Sequence, residues 1–451
     1  MQALFILLVW GTLLAIGCIA PFVLGLAYIW VDLFQPQYVL PELGRLLPIS
    51  LITAVLAIAG YLIADRENPP RLGLLTALLL IWATWITLTS SWALFPDPAW
   101  TKWNWAFKTV AFSTLLPFVF RTRIQIEAAV LVMVCAIFAH VLPYGIKGLI
   151  SGGGYFRALG LIDVNAGWGG EGSTLGTYAF ATLPLIAHLR RWSIIAPDKG
   201  IVRFIYMAAP PFAILGAFST FARAALVACV VWAALTWWDS RRKLAVAVLL
   251  LAGAVAVVPI MGESWLDRMV TALNPEQESS AMTRLVVWGW TVRFANEHPL
   301  GGGFNSYLAN NVTVTLPDGD VLEVQQRAFH SIFLEVLGEH GWVGAAIFGG
   351  ILLTFFLNLR AVRSRTRDSE DLQWLGSLAQ ALTRSMLIYL SGAAFVGVAF
   401  QALHYYLFAL AVCSTAFLAA VNVSTDRRPA TARTDTPHSW RMRARRGSSG
   451  L

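Results

Sequence analysis

Apolar runs long enough to cross a bilayer recur from end to end of this 451-residue chain, and they leave few folds open. A spanning helix needs about 20 mostly apolar residues. Within the hydrocarbon core only helices and closed barrels satisfy their own backbone polar groups. A barrel would show short segments of alternating hydrophobicity, and this sequence does not. The expected fold is therefore all-α and polytopic. Composition agrees: 57% of residues are hydrophobic and 13% charged, where a soluble chain lies nearer half and a quarter.

The runs fall at residues 4–20, 22–34, 49–63, 72–89, 106–120, 126–142, 174–189, 204–218, 222–238, 244–260, 332–359, 382–400 and 403–421, giving about 12–13 transmembrane helices. The first two, split at Pro21, are two short spans or one broken hairpin. No basic n-region precedes the first run, so it does not read as a cleavable signal. The chain divides into N-terminal transmembrane helices (1–260), one large polar external segment with an amphipathic helix (261–331), C-terminal transmembrane helices (332–423) and a basic tail read as disordered and cytoplasmic (424–451).

Lys and Arg set the orientation, because cytoplasmic loops carry the excess of both. Arg66 and Arg71, Arg121 and Arg123, Arg190, Arg191 and Arg203, 241–243, 360–367 and the tail fall on one side, assigned to the cytoplasm. Segments 90–104, 147–172 and 261–330 then face the other, periplasmic side. The net charge of +8 reflects these loops, so nucleic acid is not an expected partner. The 19 Trp suit interfacial belts. Cys18, Cys135, Cys229 and Cys413 are scattered one per apolar run, with neither metal spacing nor a suggested disulfide. No internal repeat is visible, which counts against repeat-built transporters.

The chemistry concentrates around the external segment. Residues 281–296 read as a helix ending before Pro299, with one apolar stripe at Leu285, Trp288, Val292 and Ala295 and a second at Val287, Trp290 and Phe294. Arg284 would sit in its first turn, where backbone N–H groups and the dipole favour an anion and a guanidinium fork matches phosphate oxygens. The alternative is a surface Arg near Glu278. Arg223 repeats the pattern at the start of a span, with Ser219 and Thr220 as candidate caps; the alternative is a snorkelling Arg. Together the two suit a diphosphate. His330 opens the span from Ile332, where a helix N-terminus favours neutral imidazole, a form able to accept a proton from a hydroxyl. The plainer reading is a hydrogen-bonded interface histidine. Ser331 reads as a cap, and Glu335, one turn on, could orient His330. His298 ends a helix before a glycine turn and reads as structural. His340 lies among Gly338, Gly341 and Gly344, a spacing that suggests close helix packing. No His pair has metal spacing on one helix face, so neither metal nor cofactor is expected.

These residues resemble the O-antigen ligase superfamily, which includes O-antigen ligases, polysaccharide polymerases and bacterial O-oligosaccharyltransferases. The matching pieces, in order, are Arg223 at a helix start, Arg-x3-Trp (284–288), HPL-x-G-x-F (298–304) and HS-x3-E-x2-G-E-x-G (330–341). FHSIFLEVLGEHGWVG, GGGF, YIWVDLFQPQYV and WTKWNWAFKTV with its Lys108 resemble the O-glycosylation ligases associated with exosortase systems. Two departures stand out: DVNAGWGGEGS at 163–173, where that subgroup tends to carry an Asp-Asn-Asn-like stretch, and Ala-Arg-Ala at 222–224 for the usual Ser-Arg-Gly.

The resemblance implies a metal-independent glycosyltransferase of the bacterial inner membrane. It would move an oligosaccharide or polysaccharide from undecaprenyl diphosphate to an acceptor hydroxyl of lipid A core, protein or glycan, in lipopolysaccharide or exopolysaccharide biosynthesis. Arg223 and Arg284 would hold the diphosphate and His330 would serve the acceptor. A polymerase of the same superfamily is the alternative; a polysaccharide transporter is the rival from another class, although the ionisable groups gather at span ends rather than mid-membrane.

Overall fold

The computed structural model describes residues 2–40, 46–64, 66, 73–151, 171–270, 279–315 and 321–426. The glycine-rich stretch at 152–170, Glu278 and the basic tail from 427 lie outside the described residues. The protein is an all-α, polytopic membrane protein. Its helices are α1 (Gln2–Ile19), α2 (Phe22–Phe34), the short α3 (Pro36–Val39), α4 (Ile49–Ala64), α5 (Leu74–Ser91), α6 (Pro96–Val119), α7 (Arg123–Ser151), α8 (Gly172–Trp192), α9 (Gly200–Phe218), α10 (Arg223–Asp239), α11 (Lys243–Met261), α12 (Glu263–Val270), α13 (Ser279–Glu297), α14 (Ile332–Arg365), α15 (Gln373–Ala393) and α16 (Ala402–Asp426). Every apolar run is helical over most of its length. Six, namely α5, α7, α9, α11, α14 and α16, are long and apolar enough to span by themselves, while α1, α2 and α4 are shorter apolar helices.

Several boundaries differ from the sequence reading, each for a local reason. α6 starts ten residues before the run at 106, because Pro96 sits in its first turn with Asp97 beside it, a favoured start. The WTKWNW segment is therefore helical. α7 runs through Pro143 to Ser151. The run at 382–400 is displaced: α15 spans 373–393, and 394–401 is irregular, closing in short turns with the Ala399 amide bonded to Glu335. An antiparallel hairpin, β1 (Asn311–Thr315) and β2 (Val321–Gln325), paired Val312 to Val324, adds the strands that an all-α reading had not foreseen.

α13 packs along α14 and the hairpin. Val287, Thr291, Phe294 and Ala295 are buried, whereas Leu285 and Val292 are 54% and 40% exposed. The second of the two sequence stripes thus supplies much of the face turned to the protein. Around the core, α15 packs on α8, α14 on α5 and α15, and α16 on α6 and α14. Asp32, the carboxylate of α2, is half-buried and accepts from Tyr406 Oη at 2.5 Å and Thr109 Oγ1 at 3.3 Å.

α14 is broken in its first third. Gly341 has φ 68° and ψ −170°, a conformation that only glycine adopts without strain. The glycine turn after α13 fills the break. Gly302 N donates to Gly338 O (3.3 Å), Gly303 N to Glu339 O (2.9 Å) and Trp342 N to Pro299 O (2.9 Å). Ser306 Oγ also donates to Gly338 O (2.9 Å), and Trp85 Nε1 to His340 O (3.0 Å). Backbone groups freed by the break are therefore repaired, as burial demands. Of the glycines expected to serve helix packing, Gly344 does so against Trp82 and Trp85 of α5, Gly338 faces Thr291 of α13 and the Phe329 ring, and Gly341 makes the break.

Candidate active site

Polar residues converge where α6, α13, α14 and the 394–401 segment meet. His330 is not in a helix. It has φ 48° and precedes the N-cap Ser331, whose side chain makes no cap hydrogen bond. Trp288 Nε1 donates to the carbonyl of Phe329 at 2.9 Å. Phe329 is buried against Tyr307, with ring centroids 5.9 Å apart. A buried aromatic and a side-chain hydrogen bond thus fix the residue before His330, which leaves the imidazole projecting from a braced backbone.

His330 keeps solvent access, yet the surrounding walls desolvate its ring, and this lowers its pKa below the usual value. Arg284 and then Arg327 push the same way; Glu171 and Glu335 oppose them. Neutral imidazole is the favoured form near pH 7. Guanidinium groups near a neutral imidazole suit an anionic ligand and a proton acceptor side by side.

Arg284 is the sixth residue of α13, since that helix starts at Ser279. It lies in the second turn, not the first, so its fit to an anion rests on its guanidinium and on His330 nearby rather than on the helix dipole. Arg223 is the first residue of α10. Ser219 and Thr220 do not cap that helix: Ala222 holds the N-cap position without a side-chain bond. Ser219 Oγ instead donates to Tyr144 O (2.9 Å) and Thr220 Oγ1 to Ala217 O (2.7 Å), closing α9. Gly172, at the head of α8, packs against Thr220. The residue before it, Glu171, caps α8 by accepting from Thr174 N at 2.6 Å and is felt electrostatically at His330. The heads of α8 and α10 thus meet beside the mouth of α14.

Glu335 does not orient His330 through a hydrogen bond. Its Oε1 accepts from Lys102 Nζ at 2.6 Å and its Oε2 from Ala399 N at 2.9 Å. Lys102 also donates to Glu339 Oε1 and Oε2 at 2.8 and 3.0 Å. Glu339 Oε1 accepts further from Asn305 N at 2.8 Å. The Lys102 ammonium lies 5.5 Å from the Phe304 ring centroid and 5.4 Å from that of Phe400. The lysine of WTKWNWAFKTV that reaches the site is therefore Lys102. Lys108, six residues further along α6, is half-buried and shares no bond with these groups that the structure shows.

The other histidines keep structural company. His298 is exposed, stacks on Phe294 at 4.4 Å and places Nδ1 3.2 Å from the Phe294 carbonyl, one turn back. His340 is fully buried, with Nδ1 2.7 Å from Thr89 Oγ1 and its ring edge-on to Trp82 and Phe304. Several tryptophans expected in interfacial belts are internal donors instead: Trp82 to Tyr405, Trp85 to His340 O, Trp265 to Phe218 O and Trp288 to Phe329 O.

Fold and site define a helical membrane protein in which arginines and His330 gather beside a broken helix. Residues 205–349 match the family described as O-antigen ligase, which supports the resemblance to the O-antigen ligase superfamily. Residues 1–194 match a family described only as of unknown function (DUF5935). No curated protein matches the chain. The ion cluster joins the two matched regions, with Lys102 from the first and Glu335 and Glu339 from the second.

Proposed function

We propose that the protein is a lipid-linked glycan ligase of the bacterial inner membrane. It transfers an oligosaccharide or polysaccharide from undecaprenyl diphosphate to an acceptor hydroxyl on the periplasmic face, without a metal. The observation that carries this reading is His330, braced outside its helix and within electrostatic reach of Arg284 and Arg327, in the segment matched to O-antigen ligases. The sequence motifs around it favour the exosortase-associated branch of the superfamily.

In the proposed reaction the acceptor oxygen attacks the anomeric carbon of the donor sugar, and its proton passes to His330. The bond from that carbon to the diphosphate oxygen breaks, and its electron pair leaves with the lipid diphosphate. Arg284, Arg327 and Arg223 offset the charge that develops there. A diphosphate already leaves readily, so the base contributes on the order of 10²- to 10⁴-fold and the cations do much of the rest.

A deletion strain tests the reading. Full-length glycan accumulating on the lipid carrier supports ligation. Single repeat units accumulating would instead identify a polymerase, which differs only in its acceptor. Cysteine labelling tests the side. In a background lacking the four native cysteines, an impermeant reagent applied from outside should label Glu323→Cys but not Arg367→Cys; the reverse pattern would place the site in the cytoplasm.

A further inference from the structure

The Lys102 cluster has no part in the chemistry just described, yet it is costly to bury. Its side-chain exposures are 13% for Lys102, 8% for Glu335 and 0% for Glu339. Two carboxylates face one ammonium, so the cation alone cannot balance them. Burying such groups costs several kcal/mol per ion, and apolar replacements often stabilise a protein as well or better. Stability alone is a poor reason for the cluster. What it holds is more informative: Glu335, one turn after Ser331; Asn305, just beyond the glycine turn that plugs the break; and Ala399, in the irregular 394–401 segment.

Two structural routes run from this cluster to His330. The first is through α14, where Glu335 N bonds to Ser331 O at 2.8 Å. The second is through the 394–401 segment. A side-chain carbon at Gly397 would lie 3.4 Å from Glu335 Oε2 and 3.9 Å from the His330 backbone nitrogen. Phe395 packs against Trp288 at 6.1 Å, and Trp288 holds the Phe329 carbonyl.

We propose that Lys102 is a positioning residue for glycan transfer: its ion pair with Glu335 fixes the first turn of α14 and the 394–401 segment, and so fixes the place of His330. The proposal rests on the ligase reading. Lys102 touches neither donor nor acceptor in this role. It also sets the charge seen at His330, because the groups facing that imidazole are Arg284 of α13, Arg327 of the preceding segment, Glu171 ahead of α8 and Glu335 of α14. Lys102 compensates the last of these.

The test uses full-length protein purified in detergent. The donor is undecaprenyl-diphosphate-linked glycan from the host, labelled in its sugar, and the acceptor is membrane from a deletion strain. Wild type, Lys102→Met, Glu335→Gln and His330→Ala are compared for rate at saturating donor, donor affinity and the pH of the acid limb. Lys102→Met should lose rate on the order of 10²-fold, as expected for a misplaced base, with donor affinity kept. Its acid limb should move to higher pH, because an uncompensated Glu335 carboxylate favours imidazolium. Glu335→Gln, nearly the same shape, should move the limb to lower pH. Opposite shifts are not produced by a merely structural role. Wild-type rate and limb in Lys102→Met, or loss of donor affinity in step with rate, would overturn the proposal. Should Lys102→Met fail to insert, an unmoved limb in Glu335→Gln would overturn it. No transfer by wild type would remove the ligase reading and the positioning role with it; transfer by wild type with an unaffected Lys102→Met would remove the positioning role alone.

Discussion

α11 and the first nine residues of α14 flank the polar segment between them, and they are built oppositely. Between Lys243 and Met261, α11 has no other charged residue, and Leu244, Leu249 and Leu251 are 80%, 72% and 67% exposed. Lipid can cover such a face at little cost. The start of α14 carries Glu335, Glu339 and His340, all buried, and breaks at Gly341. Ionisable groups at this depth persist where protein, not lipid, surrounds them and where backbone donors are free to pair with them. The break and the glycine turn supply those donors. One helix fills the membrane; the other holds the candidate site.

The sharpest way to break this contrast is one methyl group. At Gly341 a Cβ would run into the backbone of Pro299 and Gly301, at a φ that side chains rarely adopt. Gly341→Ala should cost roughly 2–6 kcal/mol, from strain and overpacking together. Gly253→Ala in α11 meets nothing within 4 Å and should be neutral or gain up to about 1 kcal/mol. Melting temperatures in detergent would show it; equal melting temperatures would mean that the break is not a fixed element.

A smaller effect is expected for the cations. Arg284→Lys keeps the charge but loses the fork. Transfer should fall about 10- to 100-fold, the worth of one charge-assisted hydrogen bond, with the protein still folded. Arg223→Ala should behave similarly. Wild-type rates in both variants would end the diphosphate assignment.

Trp288→Phe should act more weakly. It removes the hydrogen bond to Phe329 O, worth about 1 kcal/mol, and should slow transfer several-fold at saturating donor. At the bottom of the scale, Leu249→Ala on the exposed face of α11 should change stability by less than about 0.5 kcal/mol and leave transfer unaltered.

Much of this was readable in the sequence, and the exceptions are physical. Hydrophobic runs located every long apolar helix, because a bilayer leaves little choice of structure. The runs could not locate features that depend on distant partners: the irregular segment after α15 holds the Ala399 amide against Glu335, 64 positions away in sequence. His330, Arg284 and Arg223 were legible as polar residues at helix starts. That Arg284 falls in the second turn depends on Ser279 and Ser280 joining the helix, a boundary that periodicity fixes poorly. Lys102 was missed in favour of Lys108. Both lie on α6, and only the fold shows which one meets Glu335 and Glu339. A signal was present: those two acids, four apart in an apolar run, share one helix face and demand a buried cation.

The central claim is that His330 is the base of a glycan transfer whose donor is held by arginines. The most direct test is single-turnover transfer by purified protein, with donor binding measured on the same samples. His330→Ala should lose about 10²- to 10⁴-fold in rate and bind the lipid-linked donor as wild type does. In wild type the rate should fall on acidification only below the ordinary imidazole value of about 6.5, because desolvation and Arg284 hold His330 neutral to lower pH. Full activity in His330→Ala, or loss of donor binding with it, would contradict the account.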